Sequence, residues 1–283
     1  MKEEIDTKTS ERLFVLSAHD KTSAEKTMQS LGVYLEQRPE VFQNDLLSNL
    51  AYTLGQRRSF HPWRIAVTAS TSAELVEMLS NGKVAPCKQD TEALRMGWIF
   101  TGQGAQWWAM GRELCQQYPV YAAAIECADA HLTSIGANFS LLQELAKEEN
   151  TTQINAAYLS QPTCTAVQLA LINLFRSWGL QPAAVVGHSS GEIGAAYAAG
   201  FITFEDAMTI AYHRGRLVPI LKKMYPSLNG CMMAVGASKD QVAPLLDRIC
   251  PSLGQAKIAC INSPASITIS GDEPAVTELQ TML

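Results

Sequence analysis

The chain has 283 residues, 47% of them hydrophobic and 17% charged, which suits a soluble globular protein with one large core or two ordinary ones. A formal net charge of −5 gives no electrostatic reason to expect nucleic acid or an anionic membrane as partner. No apolar run approaches the ~18 residues of a bilayer span, and the charged start "MKEEIDTKTSERL" has no apolar segment of a secretory signal, so a cytoplasmic location is expected.

In chain order, "LFVLSA" reads as a strand, "KTSAEKTMQSLGVYLEQ" and "FQNDLLSNLAYTLGQRR" as amphipathic helices, and "WRIAVTA" as a second strand. "SAELVEMLSNG" is a helix ending on Gly82, and "KVAPCKQDTEALR" a connector. This first α/β block, residues 1–95, carries no obvious chemical motif. The second block, 96–228, begins with the strand "GWIFTG" and the glycine loop "GQGAQWW". Its helices are broken by "TSIGANFS" and "KEENTTQIN". "LSQPTCTAVQLALINLFRSWG" follows as a long helix, with Ser160 as expected N-cap and Gly179 as stop. "AAVVG" is a strand, "EIGAAYAAG" a small-residue helix, and "EDAMTIAYHRGRLVPILKKM" another helix. The third block, 229–283, reads β-α-β-β-α, a split β-α-β unit without its last strand.

The seven cysteines are scattered and form no C-x-x-C pair, so they read as reduced thiols, and no metal or redox cofactor is expected. The chemistry concentrates in "VVGHSSGEIGAAYAAG". Gly187-His188-Ser189-Ser190-Gly191 satisfies G-x-S-x-G with Ser189 at its centre. A sharp strand-to-helix turn presents such a hydroxyl outward, its glycines relieve crowding, and the following helix aims amide N–H groups at the same spot. An ordinary strand-turn-helix corner has the same pattern, so both readings stand. Ser190 is the rival nucleophile, off the centre of the turn. His188 neighbours the hydroxyl, but adjacent side chains on a tight turn diverge, which favours a structural or substrate-lining role. His19, His61, His131 and His213 offer no evident base either.

Four segments in order, "FTGQGAQWWAMGREL", "LSQPTCTAVQLAL", "VVGHSSGEIGAAYAAG" and "AYHRGRLV", resemble the acyltransferase domain of type I polyketide synthases. That family is close to the malonyl-CoA:acyl-carrier-protein transacylases of fatty acid synthesis. The resemblance runs from Gly97 to Leu283. The first block is similar to the linker between ketosynthase and acyltransferase, and the fungal reducing synthases are the nearest flavour. The implied fold class is α/β: the small α/β linker domain, an α/β-hydrolase-like acyltransferase core with a parallel sheet, and an inserted, incomplete ferredoxin-like subdomain.

On matching positions the resemblance implies that Ser189 carries the malonyl group as an ester, in ping-pong transfer from malonyl-CoA to the phosphopantetheine thiol of an acyl carrier protein. Gln103 and Ser190 would supply oxyanion-hole N–H groups. Arg214 would pair with the malonyl carboxylate, as a planar guanidinium suits, although a lone helix arginine is also a common surface charge. Gln161 and His188 would line the pocket, and Glu192 would have a structural part in its helix. The partners implied are malonyl-CoA, the carrier protein and a neighbouring ketosynthase.

The sequence departs from the family at its base, a histidine on a later strand: no histidine follows His213. The expectation is therefore a fragment of a longer synthase whose general base is elsewhere. Two alternatives are a serine hydrolase using the same turn, against which Arg214 argues, and a catalytically silent interaction module.

Overall fold

The computed structural model describes residues 11–38, 44–81, 83–90, 92, 94–227 and 229–283, the side chains of 44–46 excepted. Two compact units divide between Leu94 and Arg95.

In the first unit, β1 (Arg12–Ala18) pairs antiparallel with β2 (Trp63–Ala69), and β2 with the short β3 (Cys87–Lys88). The period of two puts Phe14, Leu16 and Ala18 on one face of β1, opposite Val67, Ile65 and Trp63 in register. That face packs with α1 (Lys21–Glu36), α2 (Asn44–Gln56) and α3 (Ser72–Ser80), which bring Leu35, Leu47, Leu75 and Leu79 to one core. Asp20 caps α1 by accepting from the Ser23 N–H at 2.8 Å, and Thr71 caps α3. The expected stop at Gly82 lies outside the described residues. The connector is not wholly irregular, since Cys87 and Lys88 in it form β3.

The second unit starts with β4 (Gly97–Phe100), which pairs in parallel with β5 (Ala184–Gly187), so that Phe100 stands beside Gly187. The crossover between them consists of α4 (Arg112–Gln117), α5 (Pro119–Ser134), α6 (Leu141–Ala146) and α7 (Ala157–Ser177). Then come α8 (Gly191–Ala198) and α9 (Phe204–Met224). The helix α7 is the spine of this core: Leu159, Ala166, Leu169, Ala170 and Ile172 are buried in it. Ser160 does not cap α7. Ala156 does, and the Ser160 N–H donates to the Ala156 carbonyl at 2.8 Å, so the helix begins a turn earlier and Ser160 is fully buried inside it. At the other end Gly179, at φ +77°, closes the helix as expected. Its N–H reaches the Arg176 carbonyl and that of Leu180 the Phe175 carbonyl, a Schellman motif.

The remainder is β6 (Gly230–Val235), α10 (Lys239–Leu246), β7 (Ala256–Ser263), β8 (Ser266–Asp272) and α11 (Glu273–Met282). The sheet order is β6-β8-β7, with β8 antiparallel to both neighbours. Val235, Val242, Ile267, Ile269, Val276 and Leu279 form its own core. The β7–β8 ladder slips twice. Ala259 and Asn262 are extra residues on β7, without partners on β8.

Candidate active site

The apolar strand β5 ends at Gly187, and the His188 N–H extends the pairing by donating to the Phe100 carbonyl at 2.9 Å. The chain then turns sharply. Ser189 has φ +54°, and no other described residue except glycine has a positive φ. For a residue with Cβ this left-handed conformation costs roughly 1–2 kcal/mol, and it is the conformation that lifts a side chain out of such a turn. The Gly191 N–H closes the turn on the His188 carbonyl at 2.9 Å, and α8 follows at once.

Both motif glycines are required by space. A Cβ on Gly187 would enter the backbone of Glu192, and one on Gly191 would enter the carbonyls of Phe100 and Thr101. The G-x-S-x-G spacing is therefore the spacing at which strand and helix can fold onto each other this tightly. The turn leaves Ser189 and His188 exposed and Ser190 only 4% exposed. Burial of Ser190 argues against it as a nucleophile. The Ser189 hydroxyl has no hydrogen-bond partner among the described residues, nor has the backbone N–H of Ser190, which lies at the positive end of α8.

The loop after β4 lies against this turn. A Cβ on Gly102 would come within 2.8 Å of the His188 carbonyl oxygen and 3.0 Å of Ser189 Cβ, so glycine is what allows the approach. The Gln103 N–H donates to Ser190 Oγ at 2.9 Å. This qualifies the expectation for Gln103, because the N–H expected to face an oxyanion already has an acceptor in the neighbouring hydroxyl.

The helix α7 holds the loop at three points along one face. Gln161 Nε2 donates to Gln103 Oε1 at 3.3 Å, Cys164 Sγ lies 3.8 Å from Gln106 Oε1, and Gln168 Nε2 donates to the Thr101 carbonyl at 2.7 Å. Gln161 is buried and its Oε1 has no partner, an uncompensated acceptor beside the loop. Burial pushes the Cys164 thiol up to about 11, which keeps it protonated and unreactive at neutral pH. Gln106 also accepts the Gly104 N–H at 2.7 Å and donates to Asn155 Oδ1 at 2.9 Å.

The segment just before Asn155 is held by Glu144. The Glu144 carboxylate receives Lys147 Nζ, Thr152 Oγ1 and the Gln153 N–H at 2.6, 2.6 and 2.7 Å. Burial alone would raise this carboxyl, but the Lys147, Thr152 and Gln153 donors outweigh it and hold the group below the usual carboxylate range.

The five histidines go elsewhere than to Ser189. His19 and His61 stack on each other in the first unit, and His131 Nε2 lies 2.8 Å from Thr209 Oγ1. His213 packs against Tyr212, and His188 Nε2 lies 3.1 Å from Asn262 Oδ1 on β7. Arg214 is exposed on α9, its guanidinium free of hydrogen bonds and ion pairs among the described residues. Gly215 next to it passes so close to Ala157 that a Cβ would lie 2.6 Å from that carbonyl oxygen. The structure thus brings Ser189, Ser190, Gln103 and Gln161 together by direct contacts, whereas Arg214 joins them by none. Sequence reasoning missed Gln106, Asn155, Gln168, Glu144 and Asn262.

Among the described residues no helix is long and apolar enough to cross a membrane, and no group of His, Cys, Asp or Glu is placed to hold a metal ion.

Residues 97–283 match the family described as acyl transferase domain, and residues 12–79 match the family described as CurL-like, PKS C-terminal. A highly reducing polyketide synthase of Aureobasidium melanogenum is 54% identical over 273 residues, covering 96% of this chain and 12% of that protein. The chain thus spans about an eighth of the length of that relative. Among solved structures, the acyl transferase domain of ZmaA superposes with a TM-score of 0.81 at 28% identity, covering 96% of this chain and 62% of that one. The acyl transferase domain of SpnD, solved with 2-(pent-4-yn-1-yl)malonyl, superposes with a TM-score of 0.78 at 27% identity, with the same coverage of both chains.

Proposed function

The chain belongs to the acyl transferase domain family, in the form found in fungal highly reducing polyketide synthases, and from that premise we propose that it loads malonyl units through Ser189. The donor is malonyl-CoA and the acceptor is the phosphopantetheine thiol of an acyl carrier protein. The observation that carries the reading is the left-handed backbone of Ser189 at a strand-to-helix turn, with the hydroxyl exposed. Ser189 Oγ attacks the thioester carbonyl, its proton passes to a base, and the carbonyl oxygen becomes an oxyanion. The unpaired N–H of Ser190, at the start of α8, suits that oxyanion, and the Gln103 N–H joins it by leaving Ser190 Oγ. Collapse breaks the C–S bond, and CoA leaves as the thiol once the proton is returned. The carrier thiol then attacks the ester, takes the acyl group and gives Ser189 its proton back.

Malonyl is the reading because the SpnD neighbour was solved with a malonyl derivative, and because Arg214, exposed and without a partner among the described residues, is the planar cation proposed to meet its carboxylate. No hydrogen bond joins a described histidine to the Ser189 hydroxyl, so the general base is assigned to none of them. Carrier protein and ketosynthase are the expected neighbours, since the relatives are multidomain synthases.

The test is intact mass after incubation with malonyl-CoA. It compares this chain, its Ser189→Ala variant, and a chain lengthened at its C-terminus to the extent of the solved neighbours. An adduct that vanishes with Ser189→Ala and forms fast on the lengthened chain bears out both nucleophile and base. An adduct that survives Ser189→Ala overturns the assignment. Folded protein without an adduct on either chain favours a silent interaction module.

A further inference from the structure

Asn262 stands out among residues that carry no assigned role. It is one of the two extra residues on β7: Ile261 pairs with Ile267 and Ser263 with Ser266, leaving Asn262 no partner on β8. Bulges of this kind re-aim a side chain. Here the side chain reaches the turn after β5, where Oδ1 lies 3.1 Å from His188 Nε2. The amide nitrogen is committed the other way, donating to Thr268 Oγ1 at 3.1 Å. Thr268 is held in β8 opposite Cys260.

This orientation decides who donates. With Nδ2 turned to the threonine hydroxyl, the amide presents its oxygen, an acceptor only, to the imidazole. His188 must therefore carry its proton on Nε2. The ring is held by a two-step relay from the β6-β8-β7 sheet, on the residue that precedes the nucleophile of the reading above.

We infer that Asn262, oriented by Thr268, is a positioning residue that fixes the tautomer and the ring orientation of His188, and thereby the wall of the acyl site beside Ser189. Its link to catalysis rests on the proposed acyl transfer, whereas the hydrogen-bond relay does not. Asn262 acts through His188 and touches no reacting atom. A substrate group meeting His188 would find the unprotonated Nδ1, an acceptor, because the donor side is already engaged.

Two readouts test this, the first on the 283-residue chain and the second on the chain lengthened at its C-terminus. The first is the ring N–H cross-peak of His188 after labelling histidine with nitrogen-15, at a pH where the imidazole is neutral. Wild type should show, at low temperature, an Nε2–H cross-peak slowed in exchange by its bond to Asn262, which broadens away in Asn262→Ala. It should weaken in Thr268→Val and persist in Thr268→Ser and Asn262→Asp, which keep a hydroxyl and an acceptor oxygen respectively. The second is the rate at which a malonyl adduct appears on Ser189 with malonyl-CoA as probe. It should fall by up to about 100-fold in Asn262→Ala, the scale on which small misplacements act, and recover in Asn262→Asp. The concentration giving half-maximal rate should change little.

Asn262 is exposed, so the alanine variant is expected to unfold at the wild-type temperature. The Thr268 pair gives an independent arm should it not. An N–H signal missing in wild type, or unchanged in Asn262→Ala, overturns the relay. Loss of the signal with an unchanged adduct rate overturns its catalytic role. A protected N–H with no adduct on any variant overturns the acyl-transfer reading instead and leaves Asn262 as the residue that orients His188.

Discussion

The backbone N–H of Gln103 donates to the hydroxyl of Ser190 across 2.9 Å, tying the loop after β4 to the residue after the exposed Ser189. This bond gives Ser190 a task in which its hydroxyl accepts and attacks nothing. In Ser190→Ala the donor loses its partner, and because Gln103 is exposed, water takes over part of the bond. The expected cost is about 1 kcal/mol. The malonyl adduct should still form on Ser189, several-fold more slowly. Intact mass and chemical denaturation read the two effects, and complete loss of the adduct would return Ser190 to candidacy as nucleophile.

Ser189 itself holds strain that glycine would release. Ser189→Gly removes the left-handed penalty of roughly 1–2 kcal/mol and adds chain entropy to the unfolded state. The net expectation is a gain of about 0.5–1 kcal/mol in the unfolding free energy of the second unit. Ser189→Ala keeps the strain and should gain nothing. Both variants should be unable to form the adduct. Equal stability of the two variants would mean that the turn relaxes once the hydroxyl is gone.

Gly102 has no room to grow. In Gly102→Ala the new methyl would stand 2.8 Å from the His188 carbonyl oxygen, a backbone atom that cannot rotate away. The loop must retreat, taking Gln103 with it. Stability should fall by about 1–3 kcal/mol. The adduct rate should fall about 100-fold, the scale on which small misplacements act. Gly55, where an added Cβ meets nothing within 4 Å, is the matched control. Gly55→Ala should leave both quantities unharmed.

Glu144 adds a pH dependence of known sign. Its carboxyl is held below the usual range, so the folded state binds a proton less readily than the unfolded chain. The stability it contributes is in full force above the ordinary carboxylate value of 4.5 and fades as the pH drops through the lowered folded value. Wild type should exceed Glu144→Gln by about 1.5–3 kcal/mol at neutral pH, the range for hydrogen bonds to a charged group. The gap should narrow steadily below pH 4.5. A gap that is constant with pH would show that the bonds to Lys147, Thr152 and Gln153 do not depend on the charge.

The features legible in the sequence were those that neighbours along the chain decide. The turn at Ser189 is written in the two glycines, since either one with a Cβ would collide with backbone. The end of α7 is written in Gly179, whose positive φ closes the helix. Ser160 misled because serine two residues before a proline imitates a helix start. Burial of Leu159 and Thr163 on the same helix carried α7 a turn further back. Glu144 carried no signal in the sequence, because nothing in "LLQELA" says that residues 147–153 fold back over it. Asn262 was illegible for a different reason. A bulge is a mismatch of register between two strands, and neither strand states it alone.

The same bulge bears on how the protein tolerates losing a codon. Deleting Asn262 would remove the one unmatched residue between the Ile261–Ile267 and Ser263–Ser266 pairs, and the ladder would close into regular register. The hairpin would survive, straighter than before, while His188 lost its acceptor. A three-nucleotide deletion there would yield a folded protein altered at a site in another part of the unit, whereas deleting a paired residue such as Ile267 would shift every side chain beyond it to the opposite face.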